Sequence, residues 1–202
     1  MYQRNTDTTR AAEDIATTTS YTLDLEKAVS ACVQVVYDDS APAAITYDGS
    51  DADIVDVDDN TIVSVAHGYI TGTKVAATTA GTLPTGLSAT NYFVIKVDAD
   101  TLKLATSLAN AVAGTAVDIT AVGVGDSTLT PATSTGNVCK LQEGNDGSNW
   151  TDVSGKTVTI ATTGGNAVWE YTGSSRYLKV LYTPSAGQVE LAVFTNLLRT
   201  DR

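Results

Sequence analysis

The chain has 202 residues, a formal charge of −11, two cysteines and a single histidine. That balance leaves no basic stripe for phosphate, so it speaks against a nucleic-acid partner, and no apolar stretch approaches the length of a membrane span. Two cysteines without ligand spacing make neither a disulfide framework nor a metal site, and abundant Thr, Ala, Val, Gly and Asp with few aromatics point to an all-β fold.

Residues 1–20, MYQRNTDTTRAAEDIATTTS, are polar and aperiodic. They read as a flexible N-terminal arm, either a frayed terminus or a segment that becomes ordered against a neighbour, without the apolar run of a signal peptide. From Tyr21 the pattern changes. Tyr21, Leu23 and Leu25 alternate, and then Val29, Ala31, Val33, Val35 and Tyr37 line one face of a second strand, with the turn near Glu26-Lys27. Asp38-Asp39-Ser40-Ala41-Pro42 breaks this run.

Residues 42–131 have their own rhythm of strand and turn signals. Thr61-Ile62-Val63-Ser64-Val65 runs to His67-Gly68, followed by Thr73-Lys74-Val75-Ala76, a Gly81-to-Leu87 loop, Tyr92-Phe93-Val94-Ile95-Lys96-Val97, and Thr101-Leu102-Lys103-Leu104-Ala105. Ser107 to Ala113 is a short helical or irregular piece, and Val117-Asp118-Ile119 with Ser127-Thr128-Leu129-Thr130 closes the unit.

The last third opens on Val138 to Val153, where Asp146-Gly147 predicts a hairpin with a two-residue type I′ turn. Leu141 points to a core there, with Trp150 covering it from the returning strand. Short strands follow at Thr157–Ile160, Val168–Tyr171, Tyr177–Tyr182 and Val189–Val193, separated by Gly, Ser, Asn or Pro.

The segment HGYITGTKVAATTAGTLPTGLSATNYFVIKVDADTLKLATSLANAVAGTAVDIT resembles the small β-sandwich module of tailed-bacteriophage virion proteins. The likeness rests on its H-G-aromatic start, its TLPTGL loop, its Y-aromatic-V-I-x-V strand and its LKLATS strand. The flanking pieces LQEGNDGSNWTDV and SSRYLKVLYT are similar to parts of discoidin-like sandwiches. Excising the middle joins VQVVYDDSA to TSTGNVCKLQEG as a hairpin. The expected fold is therefore all-β, with two antiparallel β-sandwich domains: an outer one from residues 21–41 and 132–202, and an Ig-like one, residues 42–131, inserted into a hairpin of the other. If Val33 faces Val138 across that hairpin, Cys32 stands opposite Cys139 as a pair of reduced, buried thiols on adjacent strands.

Candidate chemistry is sparse. His67 precedes a glycine and reads as a turn residue at positive φ rather than as part of a triad or zinc site. Asp48, Asp51, Asp53, Asp56, Asp58 and Asp59 offer oxygen ligands to calcium, but not in EF-hand spacing, and read better as an acidic edge that discourages strand pairing. Trp169, Tyr171, Tyr177 and Tyr182 make either a sugar-stacking platform or core, and alternation sends some of them inward. We expect no enzyme, no catalytic, cofactor-binding or metal residues, and no cofactor. The resemblance implies a bacteriophage virion structural protein, a capsid decoration (auxiliary head) or tail-associated component, assembled in the host cytoplasm. It would be present in multiple copies and bind other virion proteins. The alternative it implies is a carbohydrate-binding adhesion module that meets a host-surface glycan.

Overall fold

The computed structural model describes residues 2–25, 28–39, 42–133, 136–160, 164–185 and 187–200. The turn expected at Glu26-Lys27 and the break at Ser40-Ala41 lie outside the described residues. Chain contacts divide the molecule into two compact units. One holds Met1–Asp39, Ser134–Ser185 and Val189–Arg202, and the other Ser40–Thr133 and Ala186–Gln188.

The first unit contains β1 (Tyr2–Ile15), β2 (Thr19–Asp24), β3 (Ala28–Asp39), β11 (Val138–Gly144), β12 (Thr151–Thr159), β13 (Gly165–Tyr171), β14 (Tyr177–Thr183) and β15 (Val189–Thr200). They form two four-stranded antiparallel sheets, ordered β1-β15-β3-β13 and β12-β11-β14-β2. With strands one, three, six and eight of this unit in one sheet and the other four in the second, the order is that of an eight-stranded jelly roll. Strict alternation sends Val33, Val35 and Tyr37 of β3, Leu191 and Val193 of β15, Leu141 of β11, and Leu178, Val180 and Tyr182 of β14 into one shared core. Each is less than a tenth exposed, and each such burial contributes roughly 1.5–3 kcal/mol. The all-β expectation holds.

Three expectations are corrected here. Residues 2–15 form a strand, not a flexible arm, pairing with β15 from Tyr2↔Thr200 to Ile15↔Val189. The register shifts between Thr8 and Arg10 and again between Arg10 and Glu13. Those irregularities break the period of two, which is why no strand is visible in the sequence. Second, β3 and β11, which flank the insert, lie in different sheets and form no hairpin. Ends that converge across a sandwich look the same in sequence as ends that converge across a turn. Cys32 therefore stands between Glu170 and Asn196, whereas Cys139 stands in the other sheet between Val158 and Tyr182. Both are free, Cys32 half-buried and Cys139 buried. Third, β11 and β12 do pair, but register resumes at Glu143↔Thr151, leaving a seven-residue loop between residues 143 and 151 in place of a two-residue turn. Gly147 has φ +73°, and the Asp146 side chain closes the loop by accepting from the amides of Ser148 and Asn149, each at 2.8 Å.

The second unit holds β4 (Ile45–Asp48), β5 (Val55–Asp56), β6 (Thr61–Val63), β7 (Lys74–Thr79), β8 (Asn91–Lys96), β9 (Thr101–Ala105), α1 (Leu108–Ala113) and β10 (Asp126–Pro131). Its strands make one antiparallel sheet ordered β4-β10-β7-β8-β9-β6-β5. The two edges, β4 and β5, are consecutive in the chain and joined only by residues 49–54. That link reaches at most about 25 Å, whereas seven strands laid flat span about 29 Å. The sheet therefore curls, and its opposing walls enclose Tyr69, Val94, Leu102, Leu104, Ile119 and Leu129. The Tyr69 hydroxyl ties the connection between β6 and β7 to the β4–β10 edge, lying 2.9 Å from the carbonyl oxygen of Leu129 and 3.1 Å from that of Ala43. Helix α1 is capped by Ser107, whose side chain accepts from the Asn110 amide, and ended by Gly114 at φ +74°. The connection from β14 to β15 contributes Gln188 to this unit, 1% exposed. Its Oε1 accepts from the Thr73 hydroxyl at 2.8 Å.

Candidate functional site

His67 does not take the left-handed conformation expected of it. Its neighbours do, Ala66 at φ +52° and Gly68 at +70°, so the imidazole is swung inward and is 3% exposed. Nδ1 accepts from the Tyr69 amide at 2.9 Å, which places the ring proton on Nε2. The ring sits 5.6 Å from that of Tyr69. A nitrogen occupied by backbone is unavailable as a base, so this geometry fastens a turn.

Three carboxylates of the acidic stretch, those of Asp48, Asp51 and Asp56, are likewise used locally. Asp48 Oδ1 accepts from the Ser50 amide (2.9 Å) and hydroxyl (2.6 Å), which hold its carboxyl below the usual range. Asp51 Oδ1 accepts from the Asp53 amide at 2.9 Å. Asp56 Oδ1 accepts from the amides of Asp58 and Asp59 at 2.8 and 3.1 Å. These are turns closed by an aspartate side chain, at the ends of edge strands β4 and β5. Among the described residues, no three or more His, Cys, Asp or Glu side chains gather as a metal would need.

A grouping of polar side chains lies at one end of the jelly roll. A cleft of about 550 Å³ is lined by Glu143, Asn145, Asp146, Asn149, Thr151 and Ser175, among others. Glu143 occupies an inward position at the end of β11, and its Oε2 accepts from the Tyr171 hydroxyl at 2.5 Å and from Ser175 Oγ at 2.8 Å. Burial, then the carboxylate beside it, pushes the Tyr171 hydroxyl up from its ordinary pKa. Asp146 goes the other way, pushed down to about 2 by the amides of Asn149 and Ser148.

Of the four aromatic residues considered as a platform, Trp169 (5% exposed), Tyr171 (5%) and Tyr182 (0%) are core. Tyr177 alone faces outward, half-buried, with the Arg176 guanidinium 5.0 Å from its ring centre. Arg176 also bonds the Asp24 carboxylate at 3.1 Å. Trp150 does not cover Leu141. It lies on the outer face of its sheet against Gly144, with Lys179 Nζ 4.4 Å over the ring. Beside it, Lys140 and Gln142 both bond Asp152, at 2.7 and 2.6 Å. Sequence reasoning missed Glu143 and the Trp150–Lys179 stack. The inward parity of Glu143, two residues beyond Leu141, is a legible signal. The position of Trp150 depends on the loop before it and leaves none.

No family model matches the chain, and no curated protein matches it. Among solved structures it is similar to a CBM4 carbohydrate-binding module, with 6% identity, TM-score 0.28, 91% of this chain and 61% of that one covered. It is also similar to VP17, a capsid protein of bacteriophage P23-77, with 9% identity, TM-score 0.25, and coverage of 99% and 96%. A third likeness is to an archaeal virus turret-assembly protein with a triple jelly roll fold, at 9% identity and TM-score 0.18, covering 96% and 59%.

Proposed function

We propose that the chain is a bacteriophage virion structural protein, a capsid decoration (auxiliary head) or tail-associated component. It assembles in the host cytoplasm in several copies and acts by binding other virion proteins, not as an enzyme. We read residues 42–131 as the Ig-like module of tailed-phage virion proteins carried by the outer sandwich. The observation that carries the reading is how the side chains are used. His67 Nδ1, the carboxylates of Asp48, Asp51 and Asp56, and the side chains of Tyr171, Tyr177 and Trp150 are engaged within their own units, while Val36 and Val168 on the jelly roll and Val65, Val97, Val112 and Val124 on the other unit stand open to solvent. Engaged polar groups beside open valines suit contact with protein surfaces. The jelly roll is used by capsid and lectin domains alike, so it supplies the scaffold and not the function.

The test is co-purification. The chain should band with intact particles through a density gradient and leave them only on disruption. Absence from washed particles refutes the reading. A second reading, carbohydrate binding, is favoured by the cleft beside Glu143, whose amides and hydroxyls match the groups of a sugar. Selective glycan-array binding that is lost on Asn149→Ala would establish it in place of the first.

A further inference from the structure

The sheet β1-β15-β3-β13 ends on β13, whose outer edge pairs with no strand among the described residues. Such an edge offers a row of N–H and C=O groups to any passing strand, and sheets guard against this with bulges, short strands, lysine, proline and charge. The other edges of the molecule carry such guards. Register shifts twice along β1 and once along β12, which also holds Gly155 at φ +70° and Lys156. Strands β4 and β5 are four and two residues long, and each ends in aspartate. Strand β2 turns the polar Ser20 and Thr22 outward and ends in Asp24. Strand β13 differs. Its seven residues pair with β3 from Gly165↔Tyr37 to Tyr171↔Ala31 without a shift, and none of them is lysine or proline. An apolar side chain, Val168, stands at its midpoint 56% exposed.

We infer that β13 is the pairing edge for β13 of a second copy, antiparallel about a two-fold axis at Val168, which joins two four-stranded sheets into one. The strand's own sequence names the occupant. For the sheets to continue with their buried faces on the same side, inward positions must meet inward positions, so a one-residue slip is excluded. Registers centred on Ala167 or Trp169 leave strand ends unpaired, whereas the register centred on Val168 pairs the whole strand. In that register Val168 meets Val168, Glu170 meets Asn166, Trp169 meets Ala167 and Tyr171 meets Gly165. On the solvent face, two valines meet at the centre and no carboxylate stands opposite another. On the core face each aromatic ring lies beside a small residue. Main-chain hydrogen bonds along roughly 24 Å of edge supply the attraction. An interface of that size is small, so the dimer forms as concentration rises and parts on dilution.

The test uses the purified full chain, so it stands apart from whether the chain is found in virus particles. Sedimentation velocity over a concentration series compares wild type, Val168→Lys, Val168→Glu, an equimolar mix of those two, and Thr22→Lys at an exposed position of β2. Wild type should dimerise in proportion to concentration. Each Val168 variant sets like charges face to face and should weaken self-association roughly tenfold or more. The mix sets Lys opposite Glu and should restore the dimer, and Thr22→Lys should match wild type. Restoration by two chains that are each monomeric alone cannot come from misfolding. Amide exchange along β13 of wild type should also slow as concentration rises. A wild type that stays monomeric up to about 1 mM overturns the inference, as does a dimer that neither Val168 variant weakens. A mix that stays monomeric overturns the two-fold register at Val168. Loss of the dimer in Thr22→Lys places the contact on the other sheet and overturns the pairing of β13.

Discussion

Gly144 and Trp150 are in contact across the loop that joins β11 to β12: a Cβ on Gly144 would lie 3.3 Å from Trp150 Cε3 and 2.4 Å from the carbonyl oxygen of Asn149. The indole is seated on bare backbone, and the second distance leaves no room for a methyl group without moving the main chain. Gly144→Ala should therefore cost about 1–3 kcal/mol in denaturant unfolding. A variant as stable as wild type would show the loop to be freely deformable.

Asp146 makes the same loop sensitive to acid. Its folded-state pKa, about 2, lies below the ordinary 3.8, so its carboxylate contributes stability that is present above about pH 4 and lost as pH falls through about 2. The difference in thermal midpoint between wild type and Asp146→Ala should be full at pH 6 and shrink steadily between about pH 4 and pH 2. A constant difference over that range would mean that the charge plays no part.

At His67, two substitutions separate the hydrogen bond from the ring. Asparagine can still accept from the Tyr69 amide two residues on, and alanine cannot. Both should be destabilising through the lost ring packing, with His67→Ala worse than His67→Asn by about 1 kcal/mol. Equal losses would assign the whole effect to packing.

The cysteines should behave independently. Burial pushes the Cys139 thiol up to about 12, and Cys32 lies on the outer face of the opposite sheet. Facing sheets are about 10 Å apart, too far for a disulfide. A thiol reagent should label Cys32 in the native state and Cys139 only on unfolding, and melting curves with and without reductant should coincide. Protection of both thiols by oxidation would contradict the sheet assignment.

Much of the core was legible because most strands alternate without interruption: Val33, Val35 and Tyr37 are buried as their spacing predicts, as are Leu178, Val180 and Tyr182. What sequence hid was long-range. Nothing local distinguishes a crossover between sheets from a hairpin, so the sequence suggests a β3–β11 pair that the two sheets do not contain, and the irregularities in β1 erase the one pattern that would reveal that strand. The site residues followed the same division. Alternation puts Trp169 and Tyr171 on one face of their strand, and that face is the core, whereas Trp150 and Asp146 take their places from a loop whose closure depends on a side chain.

Gln188, buried beside Thr73, changes what counts as a separable piece of this chain. An insertion that enters and leaves once is a cassette: two cuts remove it, and recombination can exchange it for another. Here the polypeptide visits the second unit twice, the second time for only a few residues late in the sequence. A gene exchange bounded by residues 42 and 131 would carry Thr73 away and leave Gln188 behind, its amide facing whatever the incoming module happens to offer. Shuffling between lineages should therefore succeed when both segments travel together, which ties the inheritance of one short connection to that of a domain more than fifty residues before it.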